Sequence, residues 1–227
     1  MTVRARLAST DHKVIAVHYL WAGLVFLAIG GGLAMIMRWQ QAYPGTAVPV
    51  VGRVLFSGSG GAVTPAGYTS LFTNHGLIMI FFAITPILIG CFSTYLMPLW
   101  VGARNMAFPR ITRAGFYLFA LSQALVIASM LAPGGAASSG WSMYAPLSTS
   151  HIADAGAGQA VMCVAILVTG IATILGAINL VATAWTCRAP GMTWLRLPLS
   201  AWSFLFTAIL NALFVPVLAV AATLLFA

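Results

Sequence analysis

The chain has 227 residues, 61% of them hydrophobic and only 5% charged, with a mean hydropathy of +1.01. Such a composition excludes a water-soluble domain, whose surface needs far more charge. The formal charge of +8, from ten basic and two acidic residues, is explained by membrane topology and requires no nucleic-acid partner.

The first apolar run extends from Val14 to Arg38, too long for the hydrophobic core of a signal peptide. Its small residues, Gly23, Ala28, Gly30, Gly31, Gly32 and Ala34, permit close approach of another helix or of a flat ligand, helix packing being the commoner cause. Tyr43 to Tyr68 is rich in Gly, Pro, Ser and Thr and reads as a connection with little structure of its own.

The second run, Leu71 to Leu99, opens with Thr73-Asn74-His75-Gly76-Leu77 and sets His75 about one turn inside a membrane helix. An ionisable side chain there is costly without a partner, which makes a functional role the first reading. Imidazole suits iron, and haem iron in a helical bundle is a common partner. The competing reading is a headgroup-level histidine bonded to a nearby carbonyl. Met79 and Phe82 follow at helical spacing on the same face, which either lines a porphyrin or is ordinary core.

Three further runs are Ala114 to Leu131, Gly158 to Trp185 and Ala201 to Phe226. All five hold about 18–29 residues, enough at 1.5 Å per residue to cross ~30 Å of hydrocarbon. None shows the alternation of a barrel strand. The expected fold is therefore all-α, an integral membrane bundle of five helices forming one domain over residues 1–227.

The loops fix a topology. Arg4, Arg6 and Lys13, then Arg104, Arg110 and Arg113, then Arg188 and Arg196 fall on one side; the other has Arg38 and Arg53. Positive-inside places the N-terminus in the cytoplasm and the C-terminus outside, with His75 near the outer face of the membrane. The outer loop Pro133 to Gly158 carries Trp141 and Tyr144, rings suited to the headgroup level, and His151 and Asp154, read as solvated. Cys91, Cys163 and Cys187 have no metal-ligand spacing and read as small core residues.

Longer strings now carry a resemblance. His75-Gly76-Leu77-Ile78-Met79-Ile80-Phe81-Phe82, Met97-Pro98-Leu99-Trp100-Val101-Gly102-Ala103 and Met106-Ala107-Phe108-Pro109-Arg110 resemble helix II and its following loop in subunit I of the haem–copper respiratory oxidases. Asp11-His12-Lys13-Val14-Ile15, Leu131-Ala132-Pro133-Gly134-Gly135, Gly140-Trp141-Ser142-Met143-Tyr144, Ile174-Leu175-Gly176-Ala177-Ile178-Asn179 and Pro216-Val217-Leu218-Ala219 extend it, in order, over essentially the whole chain.

The resemblance implies that His75 is an axial ligand of the low-spin haem, of type a, b or o. It implies that Arg38 hydrogen-bonds the haem periphery and that Met79, Phe82, Trp141 and Tyr144 lie near it. The family's subunit I has about twelve helices, so the copper ligands and the second haem ligand would come from outside this chain. Membrane lipid, a polypeptide supplying the remaining helices and other oxidase subunits are the implied partners. No residue here is expected to be catalytic alone.

Departures temper this. Asn105 stands where the family often has an aspartate at a proton-channel mouth, and Thr94 where it often has asparagine. An amide cannot gather protons as a carboxylate does. Met37-Arg38-Trp39-Gln40-Gln41-Ala42 leans toward the quinol-oxidising branch, yet Ile29, Leu33, Gly67 and Ser70 occupy places where that branch uses polar residues. Cytochrome c and quinol both stay open as donors. Two readings follow: the N-terminal part of a split or truncated oxidase subunit I, or a diverged haem-binding or structural subunit without oxygen reduction or proton pumping.

Overall fold

A computed structural model describes residues 8–133, 135–148 and 156–225. Arg4, Arg6, His151 and Asp154 lie outside the described residues. Among the described residues five helices are long and apolar enough to cross a membrane: α1 (His12–Ala42), α2 (Pro65–Val101), α3 (Pro109–Met130), α4 (Ala157–Thr186) and α5 (Leu199–Leu224). The chain is an all-α, multi-pass membrane bundle.

Helix boundaries follow local chemistry as well as hydropathy. The Asp11 carboxylate accepts from the Lys13 amide at 2.8 Å and caps α1. Thr64 caps α2 through the Gly67 amide at 3.1 Å, with Pro65 in the first turn. The helix therefore starts at Pro65, whereas hydropathy alone starts the span at Leu71, because the cap sits outside the apolar stretch. Gly102, at φ 75°, closes α2 in a left-handed conformation.

Within α2 the winding changes. Ile78–Ile84 and Pro86–Ser93 are π-helical, flanked by α-helical Pro65–Leu77 and Thr94–Val101. The Thr85 hydroxyl donates to the Ile80 carbonyl at 2.7 Å, five residues back, in keeping with the wider turn. Pro86 has no amide hydrogen, so the Phe82 carbonyl loses its α-helical donor. The Gln123 amide of α3 donates to that carbonyl at 3.4 Å and to the Ala22 carbonyl of α1 at 3.2 Å.

Lipid gives no hydrophobic drive for helices to associate, so close packing and buried hydrogen bonds hold such a bundle together. A Cβ on Gly23 would stand 2.6 Å from Ile87 Cγ1, and one on Gly90 2.6 Å from Tyr19 Cδ1. α1 and α2 are thus in near-backbone contact. The Thr169 hydroxyl of α4 donates to the Ser122 hydroxyl of α3 at 2.6 Å. One core gathers Phe26, Leu77, Ile78, Phe82, Phe119, Val126 and Met162 from α1 to α4. A second joins Met97, Val101, Leu180 and Leu205 from α2, α4 and α5.

The α1–α2 connection has more structure than its composition implies. It holds a helical turn at Gly52–Leu55, a 3₁₀ turn at Ser57–Ser59 and an antiparallel bridge between Ala47 and Ala62. Cys91 and Cys163 are buried, and Cys187 is half-buried.

Candidate functional site

His75 lies in the last α-helical turn of α2 before the π-helical stretch, and it is half-buried. Its Nδ1 is 2.9 Å from the Gly30 carbonyl oxygen of α1. A carbonyl only accepts, so Nδ1 carries the hydrogen and Nε2 keeps a lone pair. Glycine makes that approach possible: a Cβ on Gly30 would stand 2.7 Å from Met79 Sδ and 3.1 Å from Ile78 Cγ2. By contrast, a Cβ on Gly31 or Gly32 would meet nothing within 4 Å.

The bond to a carbonyl was expected of an ordinary headgroup-level histidine. It is also the usual arrangement of a metal-ligating histidine, where the second nitrogen is held by a carbonyl and the first faces the metal. The two readings share this contact, and the chemistry of the free Nε2 separates them.

The α3–α4 loop is laced onto the start of α2 beside His75. Ser70 Oγ donates to the Ala137 carbonyl at 3.2 Å, and Asn74 Nδ2 donates to the same carbonyl at 2.9 Å. The Gly140 amide donates to Thr73 Oγ1 at 2.9 Å. Gly76 then lets Trp141 close in: a Cβ at position 76 would lie 2.9 Å from Trp141 Cβ. Asn74, Thr73 and Gly76 were not singled out by sequence reasoning. Their signal was a run of small and polar residues next to a membrane histidine.

The remaining candidates are Met79, Arg38, Phe82 and Tyr144. Met79 packs over Gly30. Arg38 Nη1 donates to Gln41 Oε1 at 3.1 Å, and Gln41 Nε2 donates to the Tyr68 hydroxyl at 2.8 Å. Arg38 lies eight residues beyond Gly30, about 12 Å along α1, toward the same end of the bundle. Phe82 is fully buried, its ring centroid 6.1 Å from that of Phe26, and Tyr144 is exposed. His75, Met79 and Phe82 each meet α1, His75 and Met79 at Gly30 and Phe82 at Phe26, with the π-helical stretch beginning at Ile78.

A haem implied by the resemblance can be tested against these donors. His75 offers one imidazole nitrogen, and the open surface at Gly31 and Gly32 would admit a flat group. His18 and His12 precede Gly30 on α1 by about 18 and 27 Å, too far to bond the opposite face. His18 instead packs its ring 5.4 Å from Phe116. Among the described residues no three His, Cys, Asp or Glu side chains cluster as a metal site. The donor set fits one axial bond.

At the other end of the bundle Asn105 acts as a brace. Its Nδ2 donates to the Thr10 carbonyl at 3.0 Å and its Oδ1 accepts from the Met106 amide at 2.8 Å. Asn179 of α4 accepts from the Phe108 amide at 2.9 Å and donates to Thr112 Oγ1 at 2.7 Å. The Ala107 amide donates to Thr183 Oγ1 at 2.9 Å. Above this brace lies a cavity of about 70 Å³ whose polar lining includes Tyr19, Thr94, Thr112, Thr173, Asn179 and Asn211.

The family described as "Cytochrome C and Quinol oxidase polypeptide I" matches residues 14–227. A "Cytochrome c oxidase subunit 1" of Thermostichus vulcanus is 39% identical over 217 residues, covering 96% of this chain and 36% of the relative. A "Putative cytochrome c oxidase subunit 1-beta" of Streptomyces coelicolor is also 39% identical over 217 residues, covering 96% and 35%. A "Cytochrome c oxidase subunit 1" of Cereibacter sphaeroides is 37% identical over 234 residues, covering 96% and 41%. The chain thus spans little more than a third of the length of these relatives.

Proposed function

This chain belongs to the family of cytochrome c and quinol oxidase polypeptide I, and from that premise we propose that it is the part of a haem–copper oxidase subunit I that supplies one axial ligand, His75, to a low-spin haem. What supports this reading is the match to that family over residues 14–227, and the 2.9 Å contact between His75 Nδ1 and the Gly30 carbonyl is in keeping with it. That contact fixes the tautomer, aims the ring and leaves Nε2 as the ligating atom. A haem bound there supplies one-electron transfer.

The chain's own residues hold and shape the place. Gly30 brings α1 close, and Trp141 on Gly76 packs the α3–α4 loop over the His75 turn. Arg38, two turns outward along α1, places a guanidinium where it would tune the charge at a haem edge. A second ligand for the haem and the oxygen-reducing centre would come from other helices of the oxidase, and these and the other oxidase subunits would be its partners. Orientation follows the basic loops, with the N-terminus inside.

A second reading, a haem-binding or structural subunit without proton pumping, is favoured by Asn105, an amide whose oxygen and nitrogen are both engaged in bracing Thr10 and Met106. The test is purification of the native complex and its optical spectrum, for wild type and His75→Ala. Loss of the low-spin haem band in the variant, with the complex still assembled, supports the ligand role. An unchanged band refutes it.

A further inference from the structure

The connection between α4 and α5 gathers two guanidinium groups and no acid. Pro190 and Gly191 form a turn in which the Met192 amide donates to the Ala189 carbonyl at 3.0 Å and Gly191 takes φ 82°, the conformation glycine supplies after proline. The turn is docked on the end of α2, where the Ala189 amide donates to the Val101 carbonyl at 2.8 Å. Two successive carbonyls of the turn each draw an arginine. Arg188 Nη1 donates to the Met192 carbonyl at 3.4 Å, and Arg196 Nη1 donates to the Gly191 carbonyl at 3.2 Å. Consecutive Cα atoms are ~3.8 Å apart, so the two cations are held as near neighbours.

Like charges so placed repel. Among the described residues neither arginine meets a carboxylate, and the one described acid, Asp11, caps α1. A guanidinium has five N–H donors, and each of these groups spends one. Arg188 Nε is buried without a partner, and its guanidinium lies 3.9 Å over the Trp194 ring. Such stacking fixes the plane of the fork. Trp194 is fixed in turn: its carbonyl accepts from Trp202 Nε1 at 3.2 Å, and its ring lies 5.4 Å from that of Trp185 and 5.6 Å from that of Trp202. Two positioned forks with donors to spare suit a planar or tetrahedral oxyanion.

The surroundings select a lipid over a free ion. The apolar span of α4 ends at Thr186, and Trp185, Leu195 and Leu199 are exposed around the cluster. Indole rings and arginines at the end of a span are headgroup-level chemistry. We propose that Arg188, Arg196 and Trp194 form a headgroup site for an anionic phospholipid, the two guanidinium groups holding its phosphate while its acyl chains run past Trp185 and Leu199. The site lies at the opposite end of α2 from His75, and nothing in it requires haem.

The full chain in detergent is mixed with equal amounts of phosphatidylglycerol and phosphatidylcholine, and the retained lipid is identified by native mass spectrometry. Wild type should prefer phosphatidylglycerol roughly thirtyfold, the scale of two cation contacts at a membrane surface. Arg188→Gln with Arg196→Gln should abolish the preference. Arg53→Gln with Arg110→Gln removes the same charge elsewhere and should keep it. Arg196→Gln alone gives up one exposed side chain with a single hydrogen bond, so its fold is secure, and it should lower the preference roughly fivefold. Size-exclusion chromatography confirms that each variant is folded. Excess inorganic phosphate should leave the lipid bound; displacement would make this a free-phosphate site and overturn the lipid assignment. Equal retention of both lipids by wild type would make the cluster a contact for a protein surface and overturn the proposal, as would an equal loss in the Arg53 and Arg110 pair.

Discussion

A single carbonyl gives His75 its orientation, and that carbonyl is invisible in a sequence reading. The histidine itself was legible: an ionisable residue inside an apolar run has few inexpensive explanations. Its partner was not, because every residue has a backbone carbonyl and only the approach of α1 selects Gly30. The glycines were noted as permitting close contact, but their division of labour needed coordinates. Gly30 is filled by Met79, while Gly31 and Gly32 face open space. This yields a paired prediction. Gly30→Val should destabilise the bundle by about 1–3 kcal/mol, as overpacking does, and should displace His75. Gly31→Val should leave thermal unfolding in detergent unchanged. If a porphyrin lies over that surface, it should still lower the haem retained on purification. Equal melting of the two variants would show that the α1–α2 approach does not depend on Gly30.

At the scale of the element, the hydropathy pattern located all five spans, since length and apolarity are what the bilayer imposes. It could not register the change of winding in α2, because π and α stretches bury similar compositions. Pro86 was the available cue: a proline in mid-span frees a carbonyl, and Gln123, a polar residue on the next helix, answers it. Gln123→Leu should leave the Phe82 and Ala22 carbonyls without this donor, at a cost of about 1–3 kcal/mol. Hydrogen exchange at the amides of Ile84 to Gly90 should then rise, and unaltered exchange would show the bond to be incidental. The α3–α4 junction makes a harsher demand. A Cβ on Gly158 would lie 2.3 Å from the Gly135 oxygen and 2.6 Å from the Ser129 oxygen, both backbone atoms unable to step aside. Gly158→Ala should therefore lower the yield of folded chain more than Gly31→Val does, as read by size-exclusion chromatography in detergent.

For the molecule as a whole, the distribution of burial and of ligands points outward. Only 11% of the most apolar window of α5 is buried in this chain, against 33–44% for α1 to α4. α5 carries Leu210, Leu213, Phe214 and Val217 on exposed positions, a surface for lipid or for further helices. The end that carries His75 is likewise one-sided: His75 offers one nitrogen, and the described histidines of α1, His18 and His12, lie about 18 and 27 Å from Gly30 along that helix. Family strings made His75 legible as a candidate haem ligand, whereas this one-sidedness follows from depth along α1 and α2. It leads to a spectroscopic expectation. The full chain alone in nanodiscs, reconstituted with haem, should hold iron through one protein bond and give a high-spin, five-coordinate spectrum. Added imidazole should fill the vacant axial position and convert it to a low-spin form. His75→Ala should abolish both spectra, because exogenous imidazole alone does not anchor the group. A low-spin spectrum before imidazole is added would mean that a second ligand is present within this chain, and the assignment of the opposite bond to another set of helices would fail.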